Sequence, residues 1–387
     1  MSTGHWAPTG DLPRELNAYG AQSGAVLLAD GHVLLAGGGD ARLTAQAGAA
    51  LFSPATGTWT PTEPLHTARR MHTTTVLADG RVLVAGGYGG PLTHPLRPLA
   101  TAELYDPDTG RWTEAAPMGQ ARFAHSATLL ADGRVLVAGG GDRRSGDSQR
   151  SLTSAELFDP AGGGRWLPTG DLGDARAHHP AAALADGSVL VAGGWAYTHR
   201  GGGAALAYCE RYDPARGTWT PTGSFAVPRG GHQLTALPDG SVLATGGGPG
   251  GSPGPDGRLE PFSLPTAERY HPGPGAWTRE QDMPCGRSQH RAVPLPSGEV
   301  LVLGGTTEPL YDAGLGSAVR YDPLTRSWYP AAGLTVGRSD FAAVTLLDGR
   351  VLATAGARRT GPGTPSGGHH QLTCTSELFT AEVRHGG

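Results

Sequence analysis

One string, "LADGRVLVAGG", occurs twice in this chain of 387 residues, at Leu77–Gly87 and again at Leu130–Gly140. Looser copies are "LLADGHVLLAGG" at 27–38, "LADGSVLVAGG" at 184–194, "LPDGSVLATGG" at 237–247, "LPSGEVLVLGG" at 295–305 and "LLDGRVLATAG" at 346–356. Seven copies about 50 residues apart mean that one supersecondary unit is built seven times. Each copy predicts two β-strands. A short apolar run enters Asp-Gly, where glycine supplies the positive φ of a tight hairpin turn. A Val/Leu strand follows and stops at a Gly pair, where a side chain would obstruct close backbone packing.

A second block follows each copy, as in "TAELYDPDTGRW" and "CERYDPARGTW". It predicts a third strand, a Pro/Gly turn, and a fourth strand beginning near Trp59, Trp112, Trp166, Trp219, Trp277 or Trp328. Seven four-stranded antiparallel sheets arranged radially form a seven-bladed β-propeller, an all-β fold in which each sheet buries its faces against its neighbours. The seventh unit lacks its Trp. "GHWAPTGDL" at 4–12 matches "GRWLPTGDL" at 164–172, so the N-terminal segment is expected to supply the outer strand of the last blade. The expected blades are 20–62, 67–116, 120–169, 174–223, 228–281, 286–331 and 337–382 with 4–8, forming a single domain over 1–387.

The Gly pair, the Glu-x-Tyr-Asp-Pro block and the spaced Trp resemble the kelch repeat, over nearly the whole chain. That resemblance implies a kelch-type propeller. It does not imply one activity, because kelch propellers include substrate adaptors, actin binders, nitrile-specifier proteins, a sialic acid epimerase and galactose oxidase.

Composition narrows the classes. Net charge is −4, so bulk charge gives no reason to expect nucleic acid or an anionic membrane surface. No run reaches the roughly 18 apolar residues of a spanning helix. The first residues show no basic start followed by an apolar core, and the three cysteines (Cys209, Cys285, Cys374) are odd in number, so a reducing cytoplasm is expected. The chain has no lysine and no isoleucine, which points to a high-GC bacterial genome and excludes lysine chemistry. There is no GxSxG, P-loop, CxxC or HExxH, so no nucleotide cofactor is expected. A monomer is expected.

Loop lengths select one face. Ten residues separate each of six tryptophans from the Arg opening the next blade, whereas the segments after the Gly pairs vary in length and content. Variable loops on a rigid scaffold carry function, so this face, around the channel mouth, is the predicted site. On it recur Arg-x-x-His starts: Arg69/His72, Arg122/His125, Arg176/His179, Arg229/His232 and Arg287/His290. A residue repeated in register is expected to do the same structural task in every blade, here interblade hydrogen bonding by His and pairing of Arg with Glu103, Glu156, Glu210, Glu268 and Glu377. Blade 6 has Arg287 but Val319 in place of Glu, so Arg287 is the arginine expected to be available to a ligand.

Exceptions to the repeat are the sharper clues. His178, Asp340 and Glu308 are the candidate acid/base residues. Arg70, Tyr88, Trp195, Tyr197, Arg287 and Tyr311 are the candidate ligand-binding residues, forming an aromatic-walled polar pocket. A divalent metal is a further expectation carried by resemblance. Nitrile-specifier proteins carry a Glu-x-x-x-Asp-x-x-x-His iron site; Glu308 and Asp312 resemble its first two positions in spacing, the third position is Gly316, and His199, His369 or His370 would have to complete the set. Two readings stay open: a small-molecule enzyme of cyclase, lyase or isomerase type in bacterial specialised metabolism, and a module docking a protein or peptide on the same face.

Overall fold

The computed structural model describes residues 3–15, 24–90, 97–142, 150–161, 164–197, 203–249, 263–307, 313–359 and 371–382. Seven antiparallel sheets of four strands are arranged as a β-propeller. Blade 2 is typical, with strands Thr73–Val76, Val82–Ala85, Ala102–Asp106 and Arg111–Ala115. The first strands of successive blades touch in an unbroken circle, blade 7 meeting blade 1, so they line the axis. The Val/Leu second strands are buried throughout, which is why they read as continuous apolar runs. The fourth strands alternate exposed and buried, as an outer edge should.

The turn between the first two strands is a three-residue loop. In blade 2, Gly80 N–H donates to Leu77 O (3.0 Å), and Leu77 N–H donates to Arg81 O (2.8 Å). Only the glycine is left-handed there (φ 87°), and Asp79 instead accepts the Arg81 N–H at 3.1 Å.

The cores lie between blades. Leu28, Leu34 and Leu65 of blade 1 pack on Val82, Val84, Tyr105 and Trp112 of blade 2. Within a blade, Tyr105 faces Trp112 with ring centroids 5.0 Å apart, and the Trp112 indole N–H crosses to the Glu63 carbonyl at 2.8 Å. The expected closure is present. His5–Thr9 pairs antiparallel with Ser376–Thr380, placing Trp6 opposite Phe379 (5.2 Å), and Trp6 Nε1 donates to Ala332 O at 2.8 Å. The N-terminal strand thus reproduces both contacts that tryptophan makes in blades 2 to 6. Among the described residues no helix is long and apolar enough to cross a membrane.

Candidate functional site

The recurring Arg and His build the walls of the channel. Arg69 is fully buried and donates to Gly86 O (2.9 Å), Thr101 O (3.0 Å) and Glu103 (2.7 Å). The ion pair repeats at Arg122–Glu156, Arg176–Glu210, Arg229–Glu268 and Arg338–Glu377, all within 2.6–2.8 Å. Three histidines bond across blades: His125 to Thr73 (3.0 Å), His179 to Ser126 (3.0 Å) and His290 to Thr245 (2.8 Å). Burial holds His72 down to about 3 and drives His125, His179, His232 and His290 well below the ordinary imidazole range, so they stay neutral.

Arg287 departs from expectation. Its missing Glu is replaced by Cys285, whose Sγ accepts at 3.3 Å, while Ser317 keeps the contacts that Thr101 makes with Arg69, its carbonyl and hydroxyl accepting at 3.1 and 3.2 Å. The residue is fully buried and held like its counterparts, so it is a wall residue and does not present a guanidinium to the channel.

Above these walls runs an innermost turn that the sequence does not announce. The residue preceding each His or Phe is left-handed: Met71 (φ 55°), Ala124 (49°), His178 (53°), Gly231 (66°), Gln289 (54°) and Asp340 (50°). Non-glycine residues rarely adopt this conformation. It lets backbone bonds pass from blade to blade: Ala124 N–H to Met71 O (2.9 Å), His178 N–H to Ala124 O (2.8 Å), Gln289 N–H to Gly231 O (3.2 Å) and Asp340 N–H to Gln289 O (3.3 Å). Strain repeated at one register and held by hydrogen bonds presents a different side chain from each blade at the mouth.

On blades 2 to 4 aromatic side chains surround this turn. Tyr88 stacks on Phe123 (4.0 Å, 24°), and the Arg70 guanidinium lies 5.3 Å from the Tyr88 ring. Phe123 meets His178 edge-on at 6.4 Å, and His178 meets Tyr197 edge-on at 6.2 Å. Trp195 lies against the bare backbone of Gly230, where a Cβ would come within 2.1 Å of its indole nitrogen. Arg70, Tyr88 and Phe123 are buried, whereas His178, Trp195 and Tyr197 are half-buried and form the open end of the array. Burial lowers His178 to about 4 and raises the Tyr197 hydroxyl to about 12. The imidazole is therefore neutral near pH 7.

On blades 6 and 7 the mouth is polar. Arg291 donates from Nε to Phe341 O at 2.6 Å and faces Asp340. Both are buried. Burial pushes the Asp340 carboxyl up to about 7 against the opposing pull of Arg291, and brings Arg291 down to about 10.

The expected residues therefore divide. Arg70, Tyr88, His178, Trp195 and Tyr197 converge on one arc. Asp340 lies three blades from His178 and answers to Arg291, so the two do not form a coupled acid/base pair. Glu308, Tyr311, Asp312, His199, His369 and His370 lie outside the described residues. Among the described residues no group of three His, Cys, Asp or Glu side chains converges. Phe123, Gln289 and Arg291 escaped sequence reasoning. Their signal lay in register: Arg291 stands where blades 2 and 3 have Thr73 and Ser126, and Phe123 follows Arg122 where other blades have Ala, Gly, Ser or Arg.

With this geometry in hand, comparison with known proteins gives a consistent picture. The family described as Kelch motif matches residues 69–119. Kelch-like protein 34 of Homo sapiens is 32% identical over 209 residues, covering 54% of this chain and 29% of the relative. Kelch-like protein 26 of Mus musculus is 32% identical over 180 residues (46% and 27%), and alpha-scruin of Limulus polyphemus is 27% identical over 253 (64% and 26%). The chain thus spans less than a third of the length of these three relatives. A fungal alcohol oxidase of the AA5 family, solved in complex with copper, superposes with a TM-score of 0.71 at 20% identity, over 98% of this chain and 76% of that one. At that identity the likeness is one of fold.

Proposed function

We propose that this kelch-type β-propeller is a small-molecule enzyme of lyase or isomerase type working at the channel mouth, with Asp340 as the group that exchanges a proton with its substrate. One observation carries this reading: an acid that titrates at about 7 is built into the innermost turn, in a register where the other blades place Met, Ala, His, Gly and Gln. A group half-protonated near neutrality can both give and take a proton there, as general acid/base catalysis requires. Burying an ionisable group is costly, so a carboxyl in this position is more than wall filler. His178, neutral and edge-on to Phe123 and Tyr197, supplies a hydrogen-bonding atom on the aromatic side.

The test is a thermal-shift screen of the full chain against a library of small cyclic and unsaturated metabolites, followed by a search for product with each binder. The expected result is a compound that raises the melting temperature of the wild type but not of Trp195→Ala, and is turned over by the wild type but not by Asp340→Asn. Selection of peptides alone, with no small binder sensitive to Trp195→Ala, would replace this reading by docking of a protein or peptide.

A further inference from the structure

Arg69, Arg122, Arg176, Arg229 and Arg338 each face a glutamate, and that glutamate also pins the crossing loop. Glu103 accepts from the Arg69 guanidinium at 2.7 Å and from the backbone N–H groups of His66 (2.7 Å) and Thr67 (3.1 Å), just before the arginine. Glu156 repeats this on Gly119 and Gln120, and Glu377 on Thr335 and Val336. Blade 6 changes all three positions together. The glutamate is Val319, the first loop residue is Pro284, which has no N–H to give, and the second is Cys285. Arg287 is nonetheless fully buried. Its acceptors among the described residues are Gly304 O (3.0 Å), Ser317 O (3.1 Å), Ser317 Oγ (3.2 Å) and Cys285 Sγ (3.3 Å), and none is a carboxylate. Its Nη2 donates to sulfur where Nη2 of Arg69 donates to Glu103. The thiol is thus the one acceptor of the four able to carry the negative charge that a buried guanidinium calls for.

Cys285 differs from the other two cysteines. Cys209 is buried, and burial pushes its thiol up to about 11. Cys374 is half-buried, and burial, then the Asp11 carboxylate, push its thiol up. Cys285 is half-buried like Cys374, but its neighbour is a fixed cation. A guanidinium that donates to sulfur favours the anionic nucleophile, and partial exposure admits a small oxidant. We propose that Cys285 is a modification site for peroxide, at which oxygen added to sulfur completes the anion–arginine pair that blade 6 lacks.

The sulfur anion attacks one peroxide oxygen. An S–O bond forms, the O–O bond breaks, and the second oxygen leaves as hydroxide, which takes up a proton to give water. Sulfur is oxidised by two electrons to the sulfenic acid, and the peroxide is reduced by two. A second peroxide, by the same exchange, gives the sulfinate, a proton and another water. The two oxygens of a sulfinate share one negative charge, as those of Glu103 do, so Arg287 regains the charge-assisted bond of its counterparts. This site lies in the loop crossing from blade 5 to blade 6 and is independent of the small-molecule reading at the mouth.

The test treats the full chain with dilute hydrogen peroxide and dimedone, which traps sulfenic acid, then cleaves after arginine for mass spectrometry. Cys285 falls in the peptide 280–287, where the dimedone mass separates it from a sulfoxide on Met283. Cys285 should be labelled about tenfold or more faster than Cys374. Val319→Glu builds the pair that the other blades already carry, and should slow labelling of Cys285 about fivefold or more while leaving Cys374 unchanged. Arg287→Gln, which removes the cation, should slow it as well. Cys285→Asp, which places a permanent anion at this position, should melt about a few degrees above Cys285→Ser. Labelling of Cys285 no faster than of Cys374 would overturn the proposal. So would a rate that Val319→Glu and Arg287→Gln both leave unchanged, since exposure rather than the guanidinium would then set it. Melting of Cys285→Asp at or below Cys285→Ser would show that this wall does not take an anion, and would overturn the completed pair.

Discussion

Asp340 combines two features that pull on stability in opposite ways. Its left-handed backbone suits Asp and Asn better than most residues, whereas its burial penalises the charge. In the unfolded chain its carboxyl titrates near the ordinary carboxylate value of 3.8, and in the folded protein burial raises it to about 7. Between those values the native state holds a proton that the unfolded state has released, so this group's contribution is full below 3.8 and is lost as pH rises through 7. Asp340→Asn keeps the backbone preference and removes the titration. Its melting temperature relative to wild type should therefore be higher at pH 8 than at pH 5, by about a few degrees, in scanning calorimetry at both values. An equal difference at the two values would show that Asp340 titrates normally. This residue was legible in the sequence because it breaks a register. Arg291 was not, because its meaning depends on Phe341 and Asp340 sitting across a blade boundary. Arg287 misled for the converse reason: Val319 showed the loss of a partner, while Cys285, which replaces it, lies on a different segment, two residues before Arg287 itself.

The Gly pair acts at the level of the blade. Two kinds of left-handed glycine alternate along the repeat, and they do different work. Gly80 sits in the exposed turn (φ 87°) with open space where a Cβ would be, so its requirement is conformational only. Gly86 (φ 64°) lies where a Cβ would come within 2.5 Å of the Arg122 carbonyl and 2.7 Å of the His125 ring, in the next blade. Gly80→Ala should cost about 1–2 kcal/mol, the ordinary penalty of a left-handed Ala. Gly86→Ala should cost about 1–3 kcal/mol more, because the neighbouring blade must be pushed outward. Urea unfolding of the two variants separates the effects, and similar costs would show that the interblade contact yields easily. The same pairing explains why strands, turns and closure could be read from one chain. Each is set by a local pattern repeated seven times, and the repeats corroborate one another. The candidate site is set by the positions that do not repeat, each occurring once. The left-handed lip has no sequence signature at all, since Met71, Ala124, His178, Gln289 and Asp340 share a backbone conformation but no chemistry.

Around the whole ring, stability depends on one short strand. His5–Thr9 completes blade 7, and the segment about it touches both neighbours: Ala332 of blade 6 donates its N–H to Thr3 O at 2.9 Å, and Gly10 N–H donates to Gly57 O of blade 1 at 2.7 Å. Removing residues 1–10 would unpair the edge Ser376–Thr380, strip Trp6 from Phe379, and remove this segment's hydrogen bonds to Ala332 and Gly57 at once. In a solenoid such a loss shortens the array by part of a unit. In a closed ring it leaves one three-stranded blade whose edge, Ser376–Thr380, becomes a template for strand pairing. The truncated chain should therefore unfold over a broader temperature range and associate with increasing concentration, as read by calorimetry and by light scattering after size exclusion. A synthetic peptide covering residues 1–12, added in trans, should restore a sharp transition, because it binds only the folded ring and so stabilises it by mass action. Unchanged melting and a monodisperse truncated chain would mean that interblade cores such as Leu65 against Trp112 hold the ring without closure.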